Sequence, residues 1–252
     1  MSEMPSPLRL IPIPGLPEVE PGTDLAKLIR RAAQDADIGL AGRIIVICQK
    51  IVSKAEGRLI ALANVDPSDE AIEIAKAHDR DPRQVEVVLR ESRRIVRRAN
   101  GVLITETHHG FVCANAGVDL SNAPGPGVAV LLPENPDASA RRLYEALSGP
   151  AGATPVIISD TFGRPWREGL VDVALGSAGL APIRDDRGSR DRAGRELIVT
   201  QSATADQLAA AAGLLMWKSA GVPVVVIEGF PIVGDGSVKD ALLRDPSTDL
   251  FR

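Results

Sequence analysis

The chain has 252 residues, of which 44% are hydrophobic but only 3% aromatic, with a formal net charge of −4 at pH 7. A chain of this length buries roughly 70–75% of its unfolded surface, so the core is ample and Val, Ile, Leu and Ala must pack it. The mild negative charge leaves no electrostatic footprint for nucleic acid. The absence of a long apolar run or a basic-then-apolar leader predicts a soluble, cytoplasmic protein without a membrane span.

Residues 8–13 read as a first strand, stopped by Pro14-Gly-Leu-Pro17. Thr23 or Asp24 caps a predicted helix over 25–36, with Leu25, Leu28, Ile29 and Ala32 on one face. The apolar run 43–48 predicts a buried strand, and the following QKIVSK segment places Lys50 and Lys54 before a Glu56-Gly57 break. Helices are predicted over 68–78, capped by Ser68, and over 82–99, with Pro82 in the first turn. In the second of these, the basic run 90–98 forms the solvated face of an amphipathic helix.

Residues 102–107 and 111–114 predict a hairpin tipped by His108-His109-Gly110, whose imidazoles are expected in solvent because adjacent strand residues point apart. A strand over 128–132, a helix over 138–147 and a strand over 155–159 follow. The polar stretch 183–196 reads as a mobile loop, long hairpin or lid. Beyond it come a strand over 196–201, an alanine-rich helix over 203–220 and a buried strand over 222–227. Helices and strands alternate, but the hairpins break strict βαβ order. The expected class is therefore α/β (mixed α+β), a mixed sheet with hairpins and flanking helices. Cys48 and Cys113 lie in apolar runs without metal or redox spacing and are expected as buried free thiols.

Neither a P-loop nor a dinucleotide fingerprint is present, so a nucleotide would need another cradle: the turn over 14–19 and the lysines of QKIVSK are the candidates. Asp160, where an apolar run ends, and Asp119, in the loop after FVCANAG, are placed as carboxylates for a hard divalent ion, with the Thr161 hydroxyl beside them. The competing reading makes both acids caps of local turns, and spacing alone leaves the two open. Lys54 is either a phosphate contact or a surface charge beside Glu56. Arg164 and Arg167 suit bidentate binding of an anion or pair with Glu168 or Asp172. Trp166 and Trp217 are core or interface aromatics, or platforms for a planar ligand.

Taken together, IPGLPEVEPGTDL, KIVSKAEGRLI, LITETHHGFVCANAGVDLSN, SDTFGRPWREGLVDVALGSAGL, GRELIVTQSATADQLAAAAGLL and VPVVVIEGF resemble the coenzyme F420-0:L-glutamate ligases over nearly the whole length. The resemblance implies one ligase domain over 1–252, without the C-terminal flavin-reductase-like domain of some relatives, in an intertwined homodimer. It further implies a GTP-dependent enzyme of coenzyme F420 biosynthesis. Such an enzyme activates the F420-0 carboxylate as an acyl phosphate, adds L-glutamate by its α-amine, and adds further residues by γ-linkage. Mg²⁺ or Mn²⁺, two per site, and K⁺ are the implied ions.

Carried over by position, Asp119 and Asp160 are the metal carboxylates, with Thr161 and Gln201 at the second metal. Leu16, Pro17, Glu18, Val19, Gln49, Lys54 and Asn122 contact the nucleotide, with Lys218 and Ser219 as further contacts. Asp160, Asp119, Lys54 and Arg164 form the catalytic set. Three departures stand out: Gln49 replaces a small hydroxyl residue, Gln201 an acid, and Met216-Trp217-Lys218 a glycine-containing turn. The alternatives are a protein that binds a deazaflavin or nucleotide without turnover, and a GTP- or ATP-dependent ligase for another carboxylate.

Overall fold

The computed structural model describes residues 6–121 and 123–249. Strand β1 (Arg9–Pro12) leads into helix α1 (Leu25–Asp35), which the Asp24 carboxylate caps by accepting from the Lys27 amide. Then follow β2 (Ile44–Cys48), α2 (Gln49–Ala55) and β3 (Leu59–Ala61). Helices α3 (Asp69–His78, capped by Ser68) and α4 (Pro82–Arg90) precede the strands β4 (Ser92–Ala99), β5 (Val102–Thr107) and β6 (Val112–Ala114). The chain continues through β7 (Val128–Val130), α5 (Pro136–Leu147), β8 (Val156–Arg164) and β9 (Arg167–Ala178). It closes with β10 (Arg184–Asp185), β11 (Gln201–Ser202), α6 (Thr204–Gly213), β12 (Val224–Glu228) and α7 (Val238–Ala241).

The central sheet has the order β1-β12-β2-β8-β9, with β2 and β8 parallel and the other neighbours antiparallel. Its inner strands are apolar on both faces because both are covered. Ile45, Ile47, Val156, Ile158, Val224 and Val226 pack towards α1 and α5. The alternate residues Ile44, Val46, Ile157, Val225 and Ile227 pack towards α6. A second core joins α3 and α4 to Leu103, Val118, Ala129 and Leu131, beside the sheets β4-β5-β6 and β3-β7. The mixed α/β class expected from the sequence is the observed one.

Four expectations need correction. The helix begun at Pro82 stops at Arg90, and the basic run forms β4. Two register shifts in the β4–β5 pairing leave Ser92, Ile95 and Ala99 turned inward. Their spacing of three and four residues imitates a helical face. Glu106, 4% exposed, holds Arg93 and Arg94 at 3.3 and 2.8 Å, so the cations belong to a strand pair.

Second, the strand expected to stop at residue 159 runs on to Arg164 and turns at Pro165-Trp166 into β9, for which the sequence predicts no element. Asp160 is therefore inside a hairpin, opposite Val173. Third, α6 ends at Gly213: a Cβ there would lie 1.8 Å from Asp172 Oδ2. Fourth, of the strand expected over 196–201 only Gln201 is in regular pairing, as part of the two-residue β11. The polar stretch before it folds back through an Arg190–Glu196 bridge.

Candidate active site

β1, β2 and β8 end at one side of the central sheet, where β12 begins: the Ile13 amide donates to Val224 O at 2.9 Å and the Cys48 amide to Pro223 O at 2.8 Å. A cleft of about 980 Å³ opens there. Strand order lays it out. The loop after β1 and the segment entering β12 form one end, α2 stands in the middle over β2, and the β8–β9 hairpin forms the other end.

The hairpin end is acidic. Asp160 is pushed up to about 7, chiefly by burial, with Asp119 and Asp172 adding to the shift and Lys50 and the Thr161 amide opposing it. Directly across the ladder, Thr161 donates its hydroxyl to Asp172 at 2.9 Å. Burial also raises Asp172, against that hydrogen bond. Asp119, brought in by its bridge to Val130, accepts from the Ser121 amide at 2.6 Å, the Ser121 hydroxyl at 2.9 Å and Lys50 Nζ at 2.7 Å. Burial works to raise Asp119, but Lys50 and Ser121 outweigh it and hold the carboxyl below its usual range.

Helix α2 supplies the cations. Lys50 and Lys54 are four residues apart, hence on one helix face, and both line the cleft. Lys50 is held between Asp119 and Ser121, to whose hydroxyl it donates at 2.9 Å, and buried Lys54 pairs with Glu18 of the loop after β1. The two thiols, Cys48 and Cys113, also line the cleft and are free. Burial pushes them up to about 11 and about 12, with Asp160 adding to both shifts, so neither is a thiolate at neutral pH.

The cleft thus gathers Leu16, Pro17, Glu18, Val19, Lys54, Asp119, Asp160, Thr161 and Lys218, all singled out from the sequence. Asn122 lies outside the described residues. The other expected site residues do not line it. Gln49, the first residue of α2, is fully buried and accepts from Ser53 one turn on. Arg164 donates to the Glu168 carbonyl at 2.7 Å. Ser219 adjoins the cleft-lining Lys218, and Gln201 bonds Asp185 at 3.1 Å in the β10–β11 arm.

Of the two histidines, His108 is exposed as expected, whereas His109 is partly buried. His108 Nε2 meets the Arg90 carbonyl at 2.8 Å and His109 Nε2 the Pro133 carbonyl at 2.9 Å, so each imidazole is tied to backbone. Ser121 and Asp172 were missed as site residues, and Lys50, a cradle candidate together with Lys54, was not expected to pair with Asp119. The four-residue spacing of Lys50 and Lys54, and the alternating LVDVAL, carried the available signal.

Among the described residues no three His, Cys, Asp or Glu side chains converge as a ready ligand set. The donors present still fit a hard divalent ion. Asp119, Asp160 and Thr161 offer oxygens only, and a cation, the Lys50 ammonium, already sits on Asp119. Mg²⁺ is commonly held by one or two carboxylates with substrate phosphates and water completing the shell, and this cleft has room for both.

The protein-family model described as F420-0:Gamma-glutamyl ligase matches residues 15–229. The chain belongs to this family. It is 48% identical over 251 residues to the coenzyme F420:L-glutamate ligase of Methanothermobacter thermautotrophicus, covering 97% of this chain and 99% of that one. The protein of the same name from Methanopyrus kandleri is 46% identical over 252 residues, with 97% and 98% covered. That of Methanocaldococcus jannaschii is 44% identical over 214 residues, with 84% and 85% covered. A family member this similar over its whole length is an enzyme, a ligase. No helix among its described residues is long and apolar enough to cross a membrane.

Proposed function

We propose that the protein is a GTP-dependent ligase of coenzyme F420 biosynthesis that joins L-glutamate to F420-0, first through the α-amine and then by γ-linkage. One observation carries the reading: in a chain nearly coextensive with the F420:L-glutamate ligases, a single cleft holds Asp119, Asp160 and Thr161 facing Lys50 and Lys54. In the reaction, an oxygen of the F420-0 carboxylate attacks the γ-phosphorus of GTP and GDP leaves. The amine of L-glutamate then attacks the acyl carbon, expelling phosphate and losing a proton as the amide forms.

Mg²⁺ or Mn²⁺, held by Asp119, Asp160 and Thr161, would offset phosphate charge and stabilise the charge that develops in phosphoryl transfer. Lys54 and Lys50 line the path between the loop after β1 and the hairpin, where they attract the phosphates and orient the chain of anions. The rigid β8–β9 ladder keeps Asp160 and Thr161 in register, so the protein acts mainly by positioning. K⁺ as an auxiliary ion and a homodimer complete the reading on the resemblance. The exposed Ile198 and Val199 of the β10–β11 arm are apolar enough to be covered by a second copy.

The test is incubation of purified protein with F420-0, L-glutamate, GTP and Mn²⁺, followed by product mass. Addition of glutamyl units with release of GDP is expected. Saturable F420-0 binding without a mass change would replace ligation with a binding role. GTP turnover only with another acid would move the protein to a different substrate.

A further inference from the structure

Among the described residues five carboxylates line the cleft: Glu18, Glu20, Asp119, Asp160 and Asp172. Glu18 pairs with Lys54 and Asp119 with Lys50, while Glu20 is exposed to water. Asp160 stands with Asp119 where the divalent ion is proposed. Asp172 has no such match. It is half-buried, its partner is the neutral Thr161 hydroxyl, and no Lys, Arg or His among the described residues forms an ion pair with it.

Its neighbours fix which way it can bind. Oδ1 accepts from Thr161 at 2.9 Å, directly across the β8–β9 ladder. Oδ2 faces α6 at Gly213, where an added Cβ would lie 1.8 Å from it, so backbone closes that side. A carboxylate has about four acceptor sites, and those left over open to the cleft. Its lost solvation is not restored by one hydroxyl, so the position favours a cation from a ligand. Asp119, Asp160 and Asp172 do not converge as a metal-ligand set, which sets Asp172 apart from the ion.

The substrates of the proposed reaction narrow the choice. GTP brings phosphates, F420-0 a carboxylate, and L-glutamate two carboxylates and an α-ammonium. That ammonium is the one cation among these groups. We infer that Asp172 binds the α-ammonium of the incoming L-glutamate and holds the nucleophile beside the carboxylate being activated. The inference rests on the ligase reading and adds the residue that receives the second substrate. In γ-linkage the same amine attacks the side-chain carboxyl of the previous glutamate, so one anchor serves every addition. The ammonium gives one proton to water before its lone pair attacks the acyl carbon. The nitrogen loses a second as phosphate departs and the amide forms. Fixing the amine in this way lowers the entropic cost of the attack.

Asp172→Asn keeps the shape and an acceptor for Thr161 but removes the charge. With F420-0, GTP and Mn²⁺ in excess, its KM for L-glutamate should rise about ten- to a hundredfold. Hydroxylamine, a nucleophile without charge near neutral pH, traps the acyl phosphate as a hydroxamate. Hydroxamate yield, GDP release with hydroxylamine and Mn²⁺ affinity by calorimetry should match the wild type. L-2-hydroxyglutarate carries a hydroxyl where L-glutamate carries the ammonium. It should inhibit both proteins equally, and bind the wild type about ten- to a hundredfold more weakly than L-glutamate does.

An unchanged KM for L-glutamate in the variant, or a hydroxamate yield that falls as far as ligation, would overturn the inference. So would weaker Mn²⁺ binding, which would place Asp172 in the shell of the ion. Equal wild-type affinity for L-glutamate and L-2-hydroxyglutarate would overturn it without any variant. Neither hydroxamate nor glutamylated product from the wild type would defeat the ligase reading and the inference with it. Both products, with the variant's KM unchanged, would defeat the inference alone.

Discussion

Asp160→Asn separates function from stability at the cleft. Burial among Asp119 and Asp172 raises the Asp160 carboxyl from 3.8 to about 7. The folded state therefore holds this proton more tightly than the unfolded chain, and unfolding releases it between pH ~4 and ~7. Wild-type stability falls through that window and levels off above it. Three units at 1.36 kcal/mol each set an upper bound of about 4 kcal/mol at pH 8. Because the carboxylate is partly exposed to the cleft, the expected figure is about 2–3 kcal/mol, and less than half of that at pH 5.

Asn keeps the shape and does not titrate. The variant should therefore unfold at higher urea than wild type at pH 8 in EDTA, by an amount that shrinks towards pH 4. It should have no ligase activity. Mn²⁺ at a thousandfold excess over its dissociation constant should reverse the order, because the ion binds and stabilises the ionised wild-type site by about 4.1 kcal/mol. A variant less stable than wild type at pH 8, or one that turns over near-normally with unchanged metal dependence, would refute the reasoning.

Lys54→Ala should raise the KM for GTP, since a phosphate contact is lost. An unchanged KM in steady-state assays would reduce Lys54 to the partner of Glu18. Lys50→Met frees Asp119 of its resident cation, so Mn²⁺ measured by calorimetry should bind several-fold more tightly while ligation slows. Weaker or equal binding would mean that Lys50 and the ion do not share that carboxylate. Gly213→Ala puts a Cβ 1.8 Å from Asp172 Oδ2 and must turn that carboxylate away from Thr161. A loss of about 1–3 kcal/mol is expected in urea unfolding, together with reduced activity.

The fold was legible where burial is two-sided or a cap is explicit. The runs at β2 and β12 are apolar because both sheet faces are covered, and Asp24 and Ser68 begin helices where their side chains accept from free amides. It was illegible where pairing is irregular. In β4, bulges give a strand a helix-like period. In the β8–β9 hairpin, glycines and charges read as loop although Trp166 simply takes the positive φ of 58° at its turn. At the end of α6, the close approach of Asp172 leaves no room for a Cβ on Gly213, a contact between residues 41 positions apart that no local propensity records.

The site shows the same division. Asp119, Asp160 and the loop after β1 lie in long motifs and were found. Lys50 was legible only as a candidate nucleotide contact, because its pairing with Asp119 joins residues 69 positions apart. That pairing shapes how the cleft loads. Each central lysine is already matched to a carboxylate, Lys54 to Glu18 and Lys50 to Asp119.

A divalent ion arriving alone on Asp119 would strand the half-buried Lys50 ammonium, which is costly away from water. A phosphate arriving alone would meet lysines already neutralised and the charge of Asp119 and Asp160 beside it. An ion and a phosphate arriving together solve both problems: the ion takes the carboxylates and the released ammonium takes a phosphate oxygen. The geometry therefore favours the metal–nucleotide complex over either component, and metal and nucleotide should each tighten the binding of the other by the same factor.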